Sequence, residues 1–428
     1  MTPLRPAIKP NAARPSGRWL LYLLLLMMGI RISSYFTLFP GSVAITQVVK
    51  VGLRFAMTGL SLILLKVLQS QSGAWRVQYQ RLLPFSFYAL YLWLGILSIF
   101  WTTNVPFTLI QLAMTCESLV FVLLFYQVLC YYEVRHGNGT SVFSWINNRS
   151  IFVIGLVFMG GIVVAPETFF RGTHGGEVHR LGGFIINPNE LGMLAVLGLV
   201  MVYLEFLERR NLIYNALAFV AGVAVLLLTQ SRSSLGAFVL VSGIFVLLSK
   251  NYWVKFGSIA GAVLALPIVI QTIILKQGDV EEVMSMTGRL PFWSDLISMG
   301  FPRAPLLGFG FMSISPNTFS NKFDSIHAYA ASMTHNTFVQ VLINLGLVGA
   351  FIVFLQMLLT FQALATSKDA ALRLLAGAML IPLIINSTTE FGIFGESNYG
   401  ILFYQFIILF FTLRVIPRQD ASTTTQTN

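Results

Sequence analysis

A histidine stands between Thr334 and Asn336, directly before the long apolar run "TFVQVLINLGLVGAF". Histidine exchanges protons near neutral pH more readily than any other side chain, so His335 is a candidate to take a proton from a hydroxyl group. The positive end of a helix dipole at this position favours the neutral imidazole, which is the form that acts as a base. Two interpretations follow from these residues alone: His335 is a catalytic base facing water, or it caps a helix.

Two arginines occur in polar breaks between apolar segments. Arg232 lies in "TQSRSSLGAF", where Ser233 or Ser234 is expected to cap the following helix. A guanidinium beside a helix N-terminus forms an anion site together with the backbone N–H groups. The alternative for Arg232 is contact with lipid phosphate at the membrane interface. Arg289 lies in "MTGRLPFW", where it is either a site residue or half of a surface salt bridge with Asp295.

A third arginine, Arg180, precedes "LGGFIINPNELG". The Asn-Pro-Asn turn in this stretch predicts a helix start with Asn189 at or near the N-cap, and for Asn189 alone that structural interpretation is favoured. His174 and His179 are nearby, but they lack further Asp, Glu or Cys residues at metal-ligand spacing. We therefore expect neither a metal site nor a cofactor.

The elements that must position these residues are membrane helices. The 428-residue chain is 56% hydrophobic and 10% charged, with a mean hydropathy of +0.77, whereas an ordinary soluble domain is about 25% charged. Many apolar stretches reach the ~18 residues that indicate a membrane helix. The sequence predicts an all-α fold, a polytopic transmembrane bundle of about twelve helices.

Twelve stretches qualify, although two of them are short for a membrane crossing. They are residues 19–40, 43–65, 84–101, 106–132, 151–165, 189–207, 212–229, 234–249, 253–275, 336–365, 370–388 and 398–416. The expected organisation is a tail at 1–18, nine helices in 19–275, an outer loop at 276–335, three helices in 336–416 and a tail at 417–428. The outer loop contains aromatic and apolar residues at helix-like spacing, so we expect it to be partly helical.

The distribution of basic residues predicts the orientation of the bundle. Seventeen of the 27 lysines and arginines fall on the side of the N-terminus, seven fall on the other side, and three lie inside predicted helices. Basic loops remain in the cytoplasm, so both termini are expected there. Arg180, Arg232, Arg289 and His335 then share the outer face. The net charge of +11 reflects this bias and does not indicate a nucleic-acid partner.

Charged residues inside apolar segments need a partner or a water-filled cavity, because each costs about 2.5–3.5 kcal/mol at the membrane centre. Lys50 and Arg54 are four residues apart and share one face of a helix. Glu117 is the expected structural partner, and binding of a lipid phosphate is the alternative. Glu390 and Glu396, in the last outer loop, are further candidates for the site.

Four motifs occur in an order and spacing that resembles the O-antigen ligase and O-antigen polymerase family. They are "RLGGFIINPNELG", "TQSRSSLGAF", "TGRLPFW" followed by "PLLGFGF", and "THNTFVQVLINLGLVGA". The resemblance covers roughly residues 180–350, and the remainder of the chain agrees in helix number and length.

The resemblance implies a bacterial inner-membrane glycosyltransferase with its active site on the periplasmic face. Its donor is a saccharide on a polyisoprenyl diphosphate, typically undecaprenyl diphosphate. The acceptor is lipid A–core in a ligase, which is slightly favoured here, or another lipid-linked glycan in a polymerase, including exopolysaccharide relatives. Carried over by motif, Arg232 and Arg289 would hold the diphosphate without a metal ion, and His335 would approach the acceptor hydroxyl. The residues expected to line the substrate site are Arg180, Asn189, Asn336, Trp293, Lys50 and Arg54.

A transporter or lipid flippase is the main competing interpretation, because twelve helices with charged residues in the membrane would suit one. Transporters tend to have two related halves and helices broken near the membrane centre. In this chain the candidate residues cluster at outer helix ends and in one asymmetric loop. That distribution favours the enzyme over a transporter, and the outer-face arginines and histidine favour it over a scaffold without activity.

Overall fold

The computed structural model describes residues 17–37, 41–71, 75–136, 141–173, 178–252, 289–313, 334–390 and 392–417, with isolated positions between 255 and 270. The expected tails at 1–18 and 417–428 lie almost entirely outside these residues. Most of the expected helix at 253–275 and parts of the expected loop at 276–335 also lie outside them.

Thirteen helices and four short strands form the described part of the chain. In chain order they are α1 (Arg18–Ser33), α2 (Val43–Gln71), β1 (Trp75–Tyr79), α3 (Leu82–Leu97), α4 (Val105–His136), α5 (Ser141–Val164), α6 (Pro166–Phe169), β2 (Phe170–Thr173), β3 (Val178–Leu181), α7 (Pro188–Leu207), α8 (Leu212–Thr229), α9 (Arg232–Leu248), α10 (Arg289–Asp295), α11 (Thr337–Ala365), α12 (Ala370–Thr389), α13 (Tyr399–Thr412) and β4 (Leu413–Pro417). A single π-helical turn and a 3-10 turn follow α10, which agrees with a partly helical outer loop.

Within these residues, eight helices are long and apolar enough to cross a membrane: α2, α3, α4, α5, α7, α8, α11 and α12. Helices α9 and α13 are apolar but shorter. The prediction of an all-α polytopic membrane bundle is confirmed.

Several predicted segments differ from the observed elements: that at 19–40 ends at Ser33, and that at 43–65 continues to Gln71. The stretch predicted at 151–165 is the second half of α5, which begins ten residues earlier at Ser141. The first half carries polar residues that interrupt the apolar run, and one of them, Arg149, pairs through Nη1 with Glu205 Oε1 of α7 at 2.6 Å. The helix predicted at 398–416 ends at Thr412, and its last residues form β4, which pairs antiparallel with β1.

The core is built around α7 and α13. All fourteen residues of α13 are buried, and α7 packs against α5, α8, α9 and α12. Small residues let the helices approach closely: a Cβ added at Gly192 of α7 would lie 2.8 Å from Ser234 Oγ and 2.9 Å from Thr229 Oγ1. The start of α7 is therefore pressed against the turn between α8 and α9.

Helix α11 is interrupted at Gly346, which has a φ of +62°. The backbone of the preceding loop enters this break: Gly310 N donates to Asn344 O at 2.8 Å, and Leu347 N donates to Pro305 O at 2.8 Å. The motifs "PLLGFGF" and "NLGLVGA" therefore join the loop that follows α10 to α11. Their role in the fold is to hold α10 beside the start of α11.

Helices α7, α9 and α11 begin at one end of the bundle, and α8 and α12 end there. This arrangement follows from contacts between those termini, which include Arg180 with Thr229 and Arg289 with Thr389. The sheet formed by β1 and β4 follows α2 and α13 at the opposite end. The predicted site residues consequently meet near one end of the bundle.

Candidate active site

Glu390 lies directly after α12 and joins three distant parts of the chain. Its Oε1 accepts hydrogen bonds from Arg289 Nη2 at 2.8 Å and from Asn189 Nδ2 at 2.5 Å. Its Oε2 contacts His335 Nδ1. The Glu390 side chain is only 2% exposed. We call Arg180, Asn189, Arg289, His335 and Glu390 the Glu390 cluster.

The Glu390 carboxyl group is ionised at neutral pH. Burial by itself raises its pKa, but the opposing interactions with His335 and Arg289 outweigh burial and lower the pKa to about 2. Arg289 acts both through its charge and through a hydrogen bond, and His335 acts through a hydrogen bond and, when it is protonated, through its charge. The cluster thus contains a buried carboxylate surrounded by donors.

Arg180, at the end of strand β3, joins the cluster through Asn189. Its Nη2 donates to Asn189 Oδ1 at 2.5 Å, and its Nε donates to Thr229 O at 2.9 Å. Burial lowers the pKa of Arg180 to about 10, and the charges of Arg289, Arg232 and Arg171 act in the same direction, while Glu390 opposes them. Arg180 remains a cation at neutral pH, in a region where positive charges accumulate.

Arg232 is the first residue of α9, but the helix cap differs from the prediction. The N-cap is Ser231, whose side chain accepts from Ser234 N at 3.3 Å. Ser234 Oγ instead donates to Asn189 O at 3.2 Å. The cap residue is the serine that precedes the arginine because its backbone is extended, with φ −87° and ψ 107°. Arg232 therefore begins a helix whose start is fastened to α7.

Asn189 is the second residue of α7, and the cap is Asn187, whose side chain accepts from Asn189 N. The side chain of Asn189 is therefore available to bridge Arg180 and Glu390. The predicted capped helix start with Asn189 near the N-cap agrees with the structure, although the capping side chain is that of Asn187.

The N-cap of α11 is Asn336, not His335. Asn336 Oδ1 accepts from Phe338 N at 2.9 Å and from Val339 N at 3.1 Å, and its Nδ2 donates to Thr388 O at 3.2 Å. The capping interpretation of His335 is thus wrong. These contacts give Asn336 a structural role, and its expected contact with substrate stays a prediction.

Helix α10 lies over the cluster. Arg289 is its first residue, and its Nη1 donates to Thr389 O. Trp293 Nε1 donates to Thr334 O at 2.6 Å, which ties α10 to the residue preceding His335. The carboxylate that pairs with Arg289 is Glu390, where the sequence suggested Asp295. Trp293 thereby holds an aromatic ring next to the site.

The expected pairing of Lys50 and Arg54 with Glu117 is wrong. Glu117 is held by Arg31, with two contacts of 2.8 Å, inside the membrane region. Arg54 Nη1 instead donates to Ser397 Oγ at 3.0 Å, and its guanidinium lies 4.0 Å from the centre of the Tyr35 ring. A buried pair formed by Arg31 is favoured because its two parallel contacts satisfy both carboxylate oxygens.

Lys50 and Arg54 nevertheless adjoin the Glu390 cluster through Glu396. Burial raises the pKa of Glu396, and the charges of Lys50, His335 and Arg54 act in the opposite direction. The helix face of α2 that carries both cations is therefore directed towards the same end of the bundle as His335.

From its place in the sequence Glu390 is only a further candidate, yet it contacts three of the other four cluster residues. Its partners Arg289, Asn189 and His335 are 101, 201 and 55 residues away. No local spacing links them. The available signal was a carboxylate at the end of an apolar segment, on the face where arginines were already expected.

Comparison with protein families matches part of the chain. A model described as O-antigen ligase matches residues 217–354. This segment contains Arg232, Arg289 and His335, whereas Arg180, Asn189 and Glu390 lie outside it. No curated protein matches the chain.

Proposed function

We propose, from the match of residues 217–354 to the O-antigen ligase family, that the chain is a membrane glycosyltransferase of that family. It moves a saccharide from undecaprenyl diphosphate to a hydroxyl group of an acceptor. The observation that carries the proposal is the Glu390 cluster, in which two arginines and a histidine meet around one carboxylate at an end of a membrane bundle.

The donor diphosphate is proposed to bind Arg180, Arg232 and Arg289. Guanidinium groups recognise phosphate oxygens through paired N–H donors and keep their charge at any physiological pH. Within the described residues, Nη1 of Arg180 has no hydrogen-bond partner, while Nε and Nη2 of the same group are held by the protein. The group is thus oriented by the fold with one nitrogen available to a ligand.

The reaction joins the acceptor oxygen to the anomeric carbon and breaks the bond between that carbon and the diphosphate oxygen. His335 Nε2 takes the acceptor proton, a contribution typically of ~10²–10⁴-fold in rate. The leaving diphosphate retains the bonding electrons, and the arginines stabilise the negative charge that develops on it. This step needs no metal ion, which is why we propose a metal-independent transferase.

Helix α10 is proposed to limit hydrolysis of the donor. Phe292 is 3% exposed, and Trp293 is hydrogen-bonded to the loop that carries His335. Apolar side chains over the site lower the access of water, which would otherwise compete with the acceptor hydroxyl.

The proposed site faces the periplasm, where a donor carried across the inner membrane is exposed. Most lysines and arginines are expected at the other end of the bundle. Lipid A–core and a second lipid-linked glycan offer the same nucleophile, a sugar hydroxyl. We propose the ligase reaction with lipid A–core, and the experiment includes both acceptors.

The test measures transfer by the purified protein in detergent from a synthetic undecaprenyl-diphosphate glycan, with EDTA present throughout. Lipid A–core and lipid-linked glycan are offered separately. The variants are Arg232→Ala, Arg289→Ala and His335→Ala, and the control is Arg303→Ala, an exposed arginine of the same outer segment.

We expect product on lipid A–core in EDTA, loss of at least 100-fold in the three site variants, and unchanged activity in the control. Elongated lipid-linked chains in place of the lipid A–core product would assign the protein as a polymerase. Transfer that survives all three site substitutions would contradict the proposed site, and loss in EDTA would contradict metal independence.

A further inference from the structure

We propose that Glu390 is a positioning residue that sets the tautomer of His335, so that Nδ1 carries the hydrogen and Nε2 accepts the proton of the acceptor hydroxyl. This inference rests on the proposed function, because it concerns the histidine to which that function assigns the role of base.

The tautomer follows from the chemistry of the contact between Glu390 and His335. An ionised carboxylate has no hydrogen to donate, so the Nδ1 atom that touches Oε2 must carry one. A neutral imidazole has a single N–H group, and with that hydrogen on Nδ1 the lone pair lies on Nε2. The contact thus selects the form of His335 that can act as a base through Nε2.

The orientation of the carboxylate is fixed by other contacts. Arg289 Nη2 and Asn189 Nδ2 both donate to Oε1, which turns Oε2 towards His335. These donors come from α10 and α7, so neither depends on the element that carries the histidine. Arg289 is further held by Thr389 O, the backbone atom immediately before Glu390.

The segments that carry the two residues are also joined, through the side chain of Thr337. Thr337 Oγ1 donates to Glu390 O at 3.5 Å and accepts from Gly392 N at 3.0 Å. His335 adopts a φ of +47°, which is uncommon for a residue other than glycine. Backbone conformations of this kind persist where surrounding contacts enforce them, and they concentrate at functional sites. The ring of His335 is therefore presented to Glu390 by the fold.

The carboxylate also serves the step that follows proton transfer. When Nε2 receives the acceptor proton, the imidazole becomes positively charged while in contact with Glu390. The carboxylate stabilises that charge, and it does so without moving because its position is already determined.

The decisive variant is Glu390→Gln. In this variant the amide oxygen takes the place of Oε1 and still accepts from Arg289 and Asn189. The opposite orientation of the amide is disfavoured, because its N–H₂ group would then face two N–H donors. The amide nitrogen then faces Nδ1, which must become an acceptor, and the hydrogen of the imidazole moves to Nε2. We expect kcat to fall by about 10²–10⁴-fold, the range of a lost general base, while the KM for the donor changes less than about threefold.

A second variant pair separates positioning from a purely structural role. In a His335→Ala background, Glu390→Gln is expected to lower kcat no further, because the group on which it acts is already absent. A structural role would lower kcat by a similar factor in both backgrounds. The control is Glu208→Gln, which makes the same chemical change in an exposed ion pair with Arg210 at the opposite end of the bundle.

Folding is monitored by size-exclusion chromatography and thermal unfolding. If Glu390→Gln is not recovered folded, Glu390→Asp provides the test, because it keeps the charge and withdraws the carboxylate from Nδ1 by one methylene group. We expect kcat to fall at least tenfold in that variant, again with little change in donor KM.

Wild-type kcat in Glu390→Gln, or in Glu390→Asp where that variant is the test, would overturn the role of Glu390 and leave the proposed function intact. A further loss of kcat in the His335→Ala background would also overturn it. Activity that persists in His335→Ala would instead contradict the proposed function itself, so the two failures are distinguishable.

Discussion

Arg180 and Arg289 are held in the Glu390 cluster in different ways. Arg289 pairs directly with the Glu390 carboxylate, whereas Arg180 reaches it only through Asn189. Part of the charge of Arg289 is therefore balanced within the protein, and that of Arg180 is balanced less. For an incoming dianionic group, Arg180 is the more strongly attracting of the two.

This difference leads to a prediction for Arg180→Gln. Losing a charged hydrogen bond to the donor costs about 1.5–3 kcal/mol, so we expect the donor KM to rise about 10–150-fold. Arg180→Lys is not expected to restore binding, because one ammonium group cannot contact Thr229 O, Asn189 Oδ1 and a phosphate together. The measurement is the donor KM of purified protein.

The matched control is Arg171→Gln. Arg171 is exposed and lies opposite Arg180 across the hairpin formed by β2 and β3. Its substitution removes the same charge, but we expect the donor KM to change less than about threefold. Equal effects of the two substitutions on the donor KM would mean that the donor is attracted by the overall positive charge of the site and not by a specific contact with Arg180.

Glu390 also predicts a dependence of stability on pH. Its pKa in the folded protein is lowered to about 2 from an ordinary value of 4.5. A lowered carboxyl pKa contributes stability above the unfolded pKa, and this contribution is lost as pH falls through the folded pKa. The difference corresponds to roughly 3 kcal/mol, present above about pH 4.5 and declining towards pH 2.

Thermal unfolding in detergent between pH 2 and pH 7 tests this prediction. The stability difference between the wild type and Glu390→Gln should be largest above pH 4.5 and should shrink towards pH 2. A difference that stays constant over the whole range would show that the Glu390 charge does not contribute to folding.

At the scale of elements, the backbone hydrogen bonds between α11 and the loop after α10 determine the positions of Arg289 and His335. A Cβ at Gly346 would lie 2.4 Å from the carbonyl carbon and oxygen of Leu306, and the φ of +62° disfavours any side chain. We expect Gly346→Ala to destabilise the protein by roughly 2–5 kcal/mol, from left-handed backbone strain and overlap with the loop. A fall in Tm measures the effect.

The control for this substitution is Gly243→Ala in α9, where an added Cβ meets no atom within 4 Å. Alanine is favoured over glycine in a helix interior, so the Tm of this variant should stay the same or rise slightly. If the Tm of Gly346→Ala matched that of this control, the contact between α11 and the loop after α10 would not be what holds the outer segment in place.

The elements themselves were largely predictable, because apolarity is a local property. Runs such as 337–365 and 370–389 needed only their own residues to be recognised as helices. Caps were predicted less well: Ser231 and Asn187 take that role, each two or three positions before the residues expected from sequence. Neighbouring serines or asparagines compete for one position, and the backbone geometry that decides between them is not visible in the sequence.

Contacts between distant segments were out of reach of sequence reasoning. Arg31 and Glu117 are 86 residues apart, and β1 pairs with β4 across most of the chain. The arginines and His335 could be assigned to one face because successive helices alternate in direction. The sequence could not indicate which carboxylate would join them, because Glu390 contacts its partners only after α7, α10, α11 and α12 have packed together.

Over the whole molecule, the two ends of the bundle differ in chemistry. One end carries the Glu390 cluster and α10, where cations surround a buried carboxylate. Among the described residues, the other end carries the β1–β4 sheet and basic loop residues such as Arg209, Arg210 and Lys368. Basic loops are retained in the cytoplasm, so we predict that the cluster faces the periplasm.

Single cysteines test this orientation. Ser298, in the turn after α10, and Ser70, in the last turn of α2, are exposed at opposite ends of the bundle. In a background where Cys116 and Cys130 are replaced by alanine, we expect a membrane-impermeant maleimide to label Ser298→Cys in intact cells. Ser70→Cys should be labelled only after the inner membrane is permeabilised.

The reverse labelling pattern would place the cluster on the cytoplasmic side, away from a donor that has crossed the membrane, and the proposed reaction would then fail at the level of the whole molecule. Labelling of Ser298→Cys in intact cells would instead agree with the proposed position of the site. The same face that gathers Arg180, Arg289 and His335 would then be the face at which both lipid-linked substrates arrive.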